Sequence, residues 1–262
     1  MERRGGAKPG ICLASERAWK RSRLIEAFDA RASRCGSGKE LGALLSDVSH
    51  ELGFRYFALL HHASLAGGPS KLIRIDNYPD DWEDELVEGR LFERDPVHEA
   101  SVRTNVGFPW RDLGKLVRLT DEHRRILSRG RRYGIGDGFT VPANVPGEPS
   151  GSCTFSGPAG MKVSKAALRC AELIGAHAFF AARQMHGYQL WDSRPHLSRR
   201  ERECLSLLAA GKTDWEIAAI LGLSPETVHQ YVKRARAAYD VVSRTQLVVR
   251  GLRDGWIRYP DV

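Results

Sequence analysis

The feature that most constrains this chain is a succession of short helical patterns near its carboxyl end. Apolar residues over Leu205–Ala209 give one short helix a buried face, and a second helix is predicted over Asp214–Leu221, stopping at Gly222. Ser224 is placed to cap a third helix, and Pro225 falls in its first turn, where a missing N–H costs nothing. Two short helices joined by a tight turn predict a helix-turn-helix unit.

The third helix has one apolar face and one basic face. Its apolar residues recur at the spacing of a buried helical stripe, and they are Val228, Val232, Ala235 and Tyr239. The outward face is predicted to carry hydrogen-bond donors and positive charge from His229, Gln230, Lys233, Arg234 and Arg236. Such a face suits guanine edges and phosphates, although a basic solvated face of a small bundle has the same pattern. The tight turn and the capped helix in front of it favour DNA binding.

A longer run of residues around these helices forms a gap-free motif. It comprises Leu197-Ser198-x-Arg200-Glu201, Gly211-Lys212-Thr213, Glu216-Ile217-Ala218, Leu221-Gly222, Ser224, Thr227-Val228 and Val232. With these residues, Leu197–Ile257 resembles the helix-turn-helix domain of the LuxR family of bacterial transcription regulators. The resemblance implies base contacts from His229 and Lys233, although His229 as a surface histidine near a phosphate is the alternative. The other DNA-binding residues that we expect are Thr227, Gln230, Arg234, Arg236 and Arg244.

Length and composition limit the remaining classes. The 262 residues suffice for two domains at about 100–200 residues each, and the net charge of +8 suits a polyanionic partner without identifying it. No apolar run approaches the ~18 residues that cross a membrane, and no apolar core follows the basic start Met1–Arg4, so we expect a cytoplasmic protein with no membrane partner. Five scattered cysteines lack metal-ligand spacing, and we expect free thiols, no metal and no cofactor other than a small-molecule ligand.

The chain is predicted to have four parts: a disordered extension over 1–18, a sensor domain over 19–187, a linker over 188–196 and the helix-turn-helix domain over 197–262. In the sensor, helices are predicted over Trp19–Ala32, Lys39–Leu52, Asp81–Leu91, Asp95–Val102, Thr120–Arg132 and Ser164–His186. Strands are predicted over Phe54–His61, Lys71–Asn77, Gly138–Val145 and Gly151–Ser156. This order predicts an α+β fold, an α-β-α sandwich with an antiparallel sheet, followed by an all-α domain.

Four residues of the sensor suit a small-molecule site: Tyr78, Trp82, Asp95 and Trp110. Tyr and Trp offer flat walls with one donor each, and a buried carboxylate accepts an amide N–H. Their residue types alone favour a simpler interpretation, in which the aromatics belong to the core and Asp95, before Pro96, caps a helix.

The spacing of these residues adds a second resemblance. The motif is Asn77-Tyr78-x-x-x-Trp82, Asp95-Pro96-Val97, Phe108-x-Trp110 and Gly136-x-Gly138-Phe139-Thr140-Val141-Pro142. It resembles the autoinducer-binding domain that precedes LuxR-type helix-turn-helix units, whose ligand is an N-acyl homoserine lactone. The resemblance implies that Trp82 donates to the lactone carbonyl, Asp95 accepts the ligand amide N–H, and Tyr78 and Thr154 bind the acyl carbonyl.

The same resemblance assigns the packing around the ligand. Trp110 would wall the lactone ring, and Gly138 would permit close packing behind it. Leu86 departs from the family, which usually has Tyr there. Leucine removes a hydroxyl and an aromatic plate, which suits a longer, branched or aromatic acyl group, or a ligand that is not a lactone. An orphan regulator that senses another molecule, or none, is therefore the alternative function.

The expected partners are palindromic promoter DNA, the autoinducer, RNA polymerase and a second copy of the chain. A homodimer is expected because one recognition helix reads too few base pairs for specificity. Its seam is predicted on Ser164–His186, through Ala167, Leu168, Ala171, Ile174, Ala178 and Phe179; the alternative is a helix packed on its own sheet. The sensor lacks the regular βαβ pattern of a receiver domain, and the chain lacks a catalytic motif, so neither a response regulator nor an enzyme is expected.

Overall fold

The computed structural model describes residues 16–62, 72–89, 91–146, 148–188 and 194–257. They divide into two compact units: the first comprises residues 16–143 and 150–188 as far as they are described, and the second comprises the described residues of 144–149 and 194–257. The predicted extension over 1–18 is too long, because Glu16 already begins a helix; residues 1–15 lie outside the described part.

The predicted linker over 188–196 is also too long at both ends. The Tyr188 ring packs edge-on against His61, 5.3 Å between ring centroids, within the first unit. Arg194 Nη1 donates to the Asp254 carbonyl oxygen at 2.8 Å, within the second unit. Residues 189–193 of the predicted linker lie outside the described residues.

The first unit is built on a five-stranded sheet in which every neighbouring pair is antiparallel, as the sequence predicts. The strands are β1 (Tyr56–His61), β2 (Arg74–Asp76), β3 (Phe108–Pro109), β4 (Asp137–Ala143) and β5 (Gly151–Gly157), in the order β2-β1-β5-β4-β3. Register places Thr154 beside both Ala58 and Thr140. These residues therefore share one face of the sheet.

Seven α-helices are described in this unit: α1 (Glu16–Ala32), α2 (Gly38–Leu52), α3 (Asp80–Glu88), α4 (Pro96–Ser101), α5 (Leu113–Leu116), α6 (Asp121–Arg132) and α7 (Lys165–Met185). Short 3-10 turns cover Leu91–Arg94 and Trp110–Asp112. The Thr120 side chain accepts the His123 N–H and caps α6, and the Ser164 side chain accepts the Ala167 N–H and caps α7. The element boundaries differ from the predicted ones by a few residues.

Alternation along the strands separates two faces of the sheet. One face sends Phe57, Leu59 and Phe155 into a core shared with α1, α2 and α7. The opposite face carries Ala58, Thr140 and Thr154 and meets α4. Helices thus lie on both sides of an antiparallel sheet, which confirms the predicted sandwich.

Three expectations for this unit need correction. The strand predicted over Lys71–Asn77 is reduced to β2, and Lys71 lies outside the described residues. The helix predicted over Asp81–Leu91 ends at Glu88, and a separate 3-10 turn begins at Leu91. The predicted dimer seam is wrong, because Ala167, Ala171, Ile174, Ala178 and Phe179 are buried in this unit's own core.

Four helices are described in the second unit: α8 (Arg199–Ala209), α9 (Asp214–Leu221), α10 (Pro225–Ala238) and α11 (Arg244–Arg253). Ser198, Thr213 and Ser243 each form a reciprocal capping box with the residue three positions on. Gly222 ends α9 with φ 66°, a left-handed conformation that favours glycine, and Ser224 caps α10 with Pro225 at its start. These features confirm the predicted helix-turn-helix.

The apolar stripe predicted on α10 is buried. Val228, Val232, Ala235 and Tyr239 are at most 9% exposed and pack with Leu205, Ile217 and Leu247 in one core. This packing fixes which face of α10 remains outside.

Candidate functional sites

A cavity of about 110 Å³ lies in the first unit on the sheet face opposite α2 and α7. A cavity needs roughly 10–15 Å³ to hold one water, so this one has room for part of a larger guest. Six of the seven predicted ligand-binding residues line it: Tyr78, Trp82, Leu86, Asp95, Trp110 and Thr154. Residues far apart in sequence therefore converge on one space.

The two carboxylate oxygens of Asp95 have different surroundings. Oδ1 accepts the Val97 N–H at 2.8 Å and caps α4, so the simpler interpretation of Asp95 as a helix cap is correct. Oδ2 has no hydrogen bond in the described chain; its nearest basic atom is His98 Nε2 at 4.0 Å. One oxygen thus remains for a donor in the cavity.

Trp82 lies in α3 and is 5% exposed. Its ring packs against Tyr133 with centroids 5.5 Å apart, and the position where a Cβ of Gly130 would lie is 3.6 Å from Trp82 Cζ2. Gly130 of α6 thus lies within van der Waals reach of the indole. Within the described residues no hydrogen bond occupies Trp82 Nε1, so the donor is available to a guest.

The Tyr78 side chain is half-buried beside the sheet, and its ring meets Tyr56 edge-on at 6.0 Å. Burial raises the pKa of Tyr78 far above its ordinary value, and the carboxylates of Asp95 and Asp76 raise it further. Tyr78 is therefore a neutral hydroxyl donor at any physiological pH.

A chain of hydrogen bonds runs from Trp110 into the sheet. Trp110 Nε1 donates to Thr140 Oγ1 at 2.9 Å, and Thr140 Oγ1 lies 2.9 Å from Thr154 Oγ1. Because the indole supplies one hydrogen to Thr140, that hydroxyl can donate its own to Thr154, and Thr154 can then donate into the cavity. Sequence reasoning placed Thr140 in a motif but did not give it this role.

Gly138 does not line the cavity but supports its wall. A Cβ at this position would lie 2.6 Å from Trp110 Cε2, a distance that real Cβ atoms essentially never show. The glycine therefore permits the close packing of Trp110 on β4 that the sequence comparison implies.

Sequence reasoning missed seven polar or aromatic residues that line the cavity: His61, His62, Arg74, Asp76, Phe92, His98 and Ser152. A partial signal existed, because His62, Arg74 and Asp76 continue the strand alternation that places Ala58 and Leu60 on the cavity side. Phe92 comes from the 3-10 turn before α4 and His98 from α4 itself, and no local pattern indicates them.

The outward face of α10 carries most of the predicted DNA-binding residues. His229, Gln230, Lys233 and Arg234 are exposed, and Thr227 is half-buried beside the Ser224 cap, 2.8 Å between the two side-chain oxygens. Lys233 and Arg234 form no ion pair within the described residues. They are the free positive charges of this face.

Two predicted arginines have other partners. Arg236 is half-buried, and its Nη1 donates to the Val242 carbonyl oxygen at 2.8 Å, so the expectation that Arg236 faces fully outward is wrong. Arg244 Nη2 donates to Asp214 Oδ2 at 2.6 Å, and His229 Nδ1 lies 3.7 Å from the same oxygen. Asp214 thus binds the start of α11 and lies beside a side chain of α10.

The described residues include no cluster of three or more His, Cys, Asp or Glu side chains with the geometry of a metal site. None of the described helices combines the length and hydropathy that a bilayer-crossing segment needs.

Comparison with protein families identifies both units. Residues 37–185 match the model of the autoinducer binding domain, and residues 195–250 match that of bacterial regulatory proteins of the luxR family. The first match contains the cavity and the second contains the helix-turn-helix.

Similar proteins cover nearly the whole chain. The transcriptional activator VanR of Vibrio anguillarum is 26% identical over 246 residues, 91% of this chain and 98% of VanR. The transcriptional activator LuxR of Aliivibrio fischeri is 23% identical over 234 residues, 86% of this chain and 91% of LuxR.

A solved structure shares the fold. SdiA in complex with octanoyl-rac-glycerol superposes with a TM-score of 0.63 at 20% identity, covering 94% of this chain and 99% of SdiA. The two family matches, read with the cavity and the helix-turn-helix, show that this chain belongs to the LuxR family of autoinducer-binding transcriptional regulators.

Proposed function

We propose that the first unit binds an N-acyl homoserine lactone and that this ligand controls DNA binding by the second unit. One observation carries the proposal: Trp82 and Asp95 line the same cavity, each with a hydrogen-bonding atom that has no partner in the described chain. A homoserine lactone amide offers matching groups, because its ring carbonyl accepts and its amide N–H donates.

Each residue has a role in this binding mode. The Trp82 indole donates to the lactone carbonyl, and Asp95 Oδ2 accepts the amide N–H. The buried Tyr78 hydroxyl and the Thr154 hydroxyl donate to the acyl carbonyl. Trp110, held on Gly138, walls the lactone ring. A buried hydrogen bond between a carboxylate and an amide contributes roughly 1.5–3 kcal/mol.

The ligand acts by completing the interior of the first unit. A guest that binds only the folded form stabilises it by about 2.7 kcal/mol at a hundred times its Kd. We infer that the ligand-free protein is poorly stable and that ligand binding increases the fraction of chain that can dimerise and bind DNA.

A second copy of the chain is the proposed partner of an exposed stripe on α7. Leu173 and Phe180 are 48% and 49% exposed, seven residues apart, and Ala176 lies exposed between them. Residues i and i+7 share one helix face, so this stripe suits a symmetric contact between two α7 helices. Substituting Leu173 and Phe180 by Glu tests it, because the double variant should sediment as a monomer with bound ligand.

The DNA-reading surface is proposed to be the outward face of α10. Lys233 and His229 contact base edges; Thr227, Gln230 and Arg234 contact them or the adjacent phosphates. Arg236 and Arg244 act mainly by holding the surface in place, given their bonds to Val242 and Asp214. A homodimer would present two such faces to a palindromic promoter. The proposed compartment is the cytoplasm, and the further proposed partner is RNA polymerase.

The test is expression with and without extracts of lactone-producing cells, followed by mass spectrometry of the small molecules that copurify. We expect an N-acyl homoserine lactone at one per chain from wild type and none from Asp95→Ala. A copurified molecule without a lactone ring would instead support the alternative, an orphan regulator. Two observations favour that alternative: Leu86 stands where the family usually has Tyr, and SdiA was solved with octanoyl-rac-glycerol.

A further inference from the structure

Two histidines form a stacked pair in the wall of the ligand cavity. His62 follows β1 and His98 lies in α4, yet their ring centroids are 4.0 Å apart and the rings are within 14° of parallel. Both side chains line the cavity. A purely apolar acyl tail gives no reason for two imidazoles at this position.

The hydrogen-bond partner of His98 shows which of its ring nitrogens carries the hydrogen. Its Nδ1 lies 3.0 Å from the Phe92 carbonyl oxygen, which can only accept, so Nδ1 carries a hydrogen. In the neutral ring, Nε2 is then an acceptor. It lies 4.0 Å from Asp95 Oδ2, the oxygen left free by the helix cap.

His62 has one ring nitrogen in use and one without a partner. Its Nε2 lies 2.9 Å from Ser152 Oγ. Its Nδ1 is buried and has no hydrogen-bond partner within the described residues. A buried polar atom without a partner is costly and rare in native proteins, so a ligand group that reached Nδ1 would remove this cost.

The charge of the two histidines limits which kind of ligand group can bind beside them. Burial lowers the pKa of His62 well below its ordinary value, and the neighbouring His98 and His61 lower it further. His62 is therefore neutral near pH 7 and offers no positive charge to an anion. Asp95 and Asp76 in the same wall also disfavour an anionic ligand group, because the one guanidinium among the lining residues, that of Arg74, lies 3.5 Å from Asp76 Oδ2. A neutral group that both donates and accepts suits the pair best.

The pair lies at a defined separation from the site proposed for the acyl carbonyl. Ser152 and Thr154 are two residues apart on β5 and face the same side, which places them about 7 Å apart. Register pairs Ser156 with Gly138, which supports Trp110, and Ser152 lies on the other side of Thr154 along β5. A group bound at His62 and Ser152 is thus on the acyl part of the ligand, on the side of its carbonyl away from the lactone ring proposed at Trp110.

We propose that His62, His98 and Ser152 form a second polar subsite that recognises a neutral hydroxyl on the acyl part of the ligand. This inference rests on the proposed lactone-binding function and adds the class of acyl group. The hydroxyl can accept from His62 Nδ1 when that nitrogen carries the hydrogen, and donate to it in the other tautomer. Leu86 also lines the cavity, and it is smaller than the Tyr that the family usually has there, which leaves space for the chain or ring that carries the hydroxyl.

The test uses four synthetic N-acyl homoserine lactones of matched length. Two have a straight alkyl acyl group and two have an acyl group ending in an aromatic ring; one of each pair carries a hydroxyl at its far end. We expect the hydroxylated member of at least one pair to bind about three- to tenfold more tightly to the wild-type chain in calorimetric titration. The pair in which this occurs identifies the group that carries the hydroxyl.

Substitutions attribute the preference to the histidine pair. His62→Phe keeps a flat ring against His98 and removes both ring nitrogens, so the preference should fall to about one. His50→Phe, on the exposed end of α2 outside the cavity, is the matched control and should keep the preference. Ser152→Ala, a smaller change, should reduce it partly.

The outcomes separate this inference from the proposed function. Equal binding of hydroxylated and plain members in both pairs, or an unchanged preference in His62→Phe, overturns the second subsite alone. Binding of none of the four lactones overturns the proposed lactone ligand and the second subsite with it.

Discussion

The two units of this protein build their functional surfaces in opposite ways. In the second unit, four helices carry their own caps, and the DNA-reading face is one side of a single helix, α10. In the first unit, the cavity draws on α3, the start of α4, the turn after β3 and strand β5. A surface on one helix exists whenever that helix folds, whereas a cavity of distant residues depends on the whole unit and on its occupant.

The largest expected effect comes from substituting Asp95, because this residue both caps α4 and is proposed to bind the ligand amide. Asp95→Asn keeps a side-chain oxygen for the α4 cap but loses the charge that receives the ligand amide. We expect lactone binding about 10- to 100-fold weaker, corresponding to roughly 1.5–3 kcal/mol. Titration calorimetry with the best-binding lactone measures the change. Asp121→Asn on the exposed start of α6 is the control, and equal affinity in both variants would remove Asp95 from the site.

Gly138 tests whether the cavity wall depends on close packing. Gly138→Ala places a methyl group against the Trp110 indole, which must move or strain β4. We expect a loss of stability of about 1–3 kcal/mol from overpacking and about tenfold weaker lactone binding. Gly36→Ala, where a Cβ meets no atom within 4 Å, is the matched control for chemical denaturation and titration. Unchanged binding in Gly138→Ala would show that Trp110 does not shape the site.

Lys233 tests the locally built surface. Lys233→Ala should weaken binding to an operator selected from random sequence by roughly 1–3 kcal/mol and relax discrimination at one base pair. Arg250→Ala removes the same charge from α11 and should change affinity only slightly. The first unit should keep its lactone affinity in both variants. A loss that is equal on all sequences would assign Lys233 to phosphates.

The smallest effect concerns pH and belongs to the first unit alone. Because burial disfavours the charged form of His62, its pKa in the folded chain lies below its unfolded value near 6.5. Between these two values the unfolded chain binds more protons, so the contribution to stability is complete above pH 6.5 and is lost as pH falls towards the folded-state pKa. Denaturation of wild type and His62→Phe at pH 7.5 and 5.5 measures it. We expect the wild type to lose more stability than the variant.

The sequence predicts the second unit better than the first, because local patterns mark helix ends but not contacts between distant residues. The helix-turn-helix could be predicted because Ser224, Pro225 and Gly222 act within one turn of the helix ends they mark. The cavity face could be predicted in part, since alternation places Thr154 opposite the core residue Phe155. The stacking of His62 on His98 could not, because it depends on how α4 crosses the sheet.

Two errors have the same physical origin. The period of α7 indicates that Ala171 and Ile174 are buried but not which partner buries them, and the sheet rather than a second copy does so. The period of α10 places Arg236 near the outer face, but its long side chain reaches back to the Val242 carbonyl. Periodicity specifies a direction from the helix axis, whereas contacts depend on the tertiary fold.

The most direct test of the central claim is the unfolding free energy of the chain across a series of lactone concentrations. If the guest supplies interior that the first unit lacks, stability should rise by about 1.4 kcal/mol for each tenfold increase above Kd, and Asp95→Ala should show no rise at the same concentrations. The account would be contradicted if the unfolding free energy did not change with lactone concentration and the protein bound its operator equally well without any small molecule.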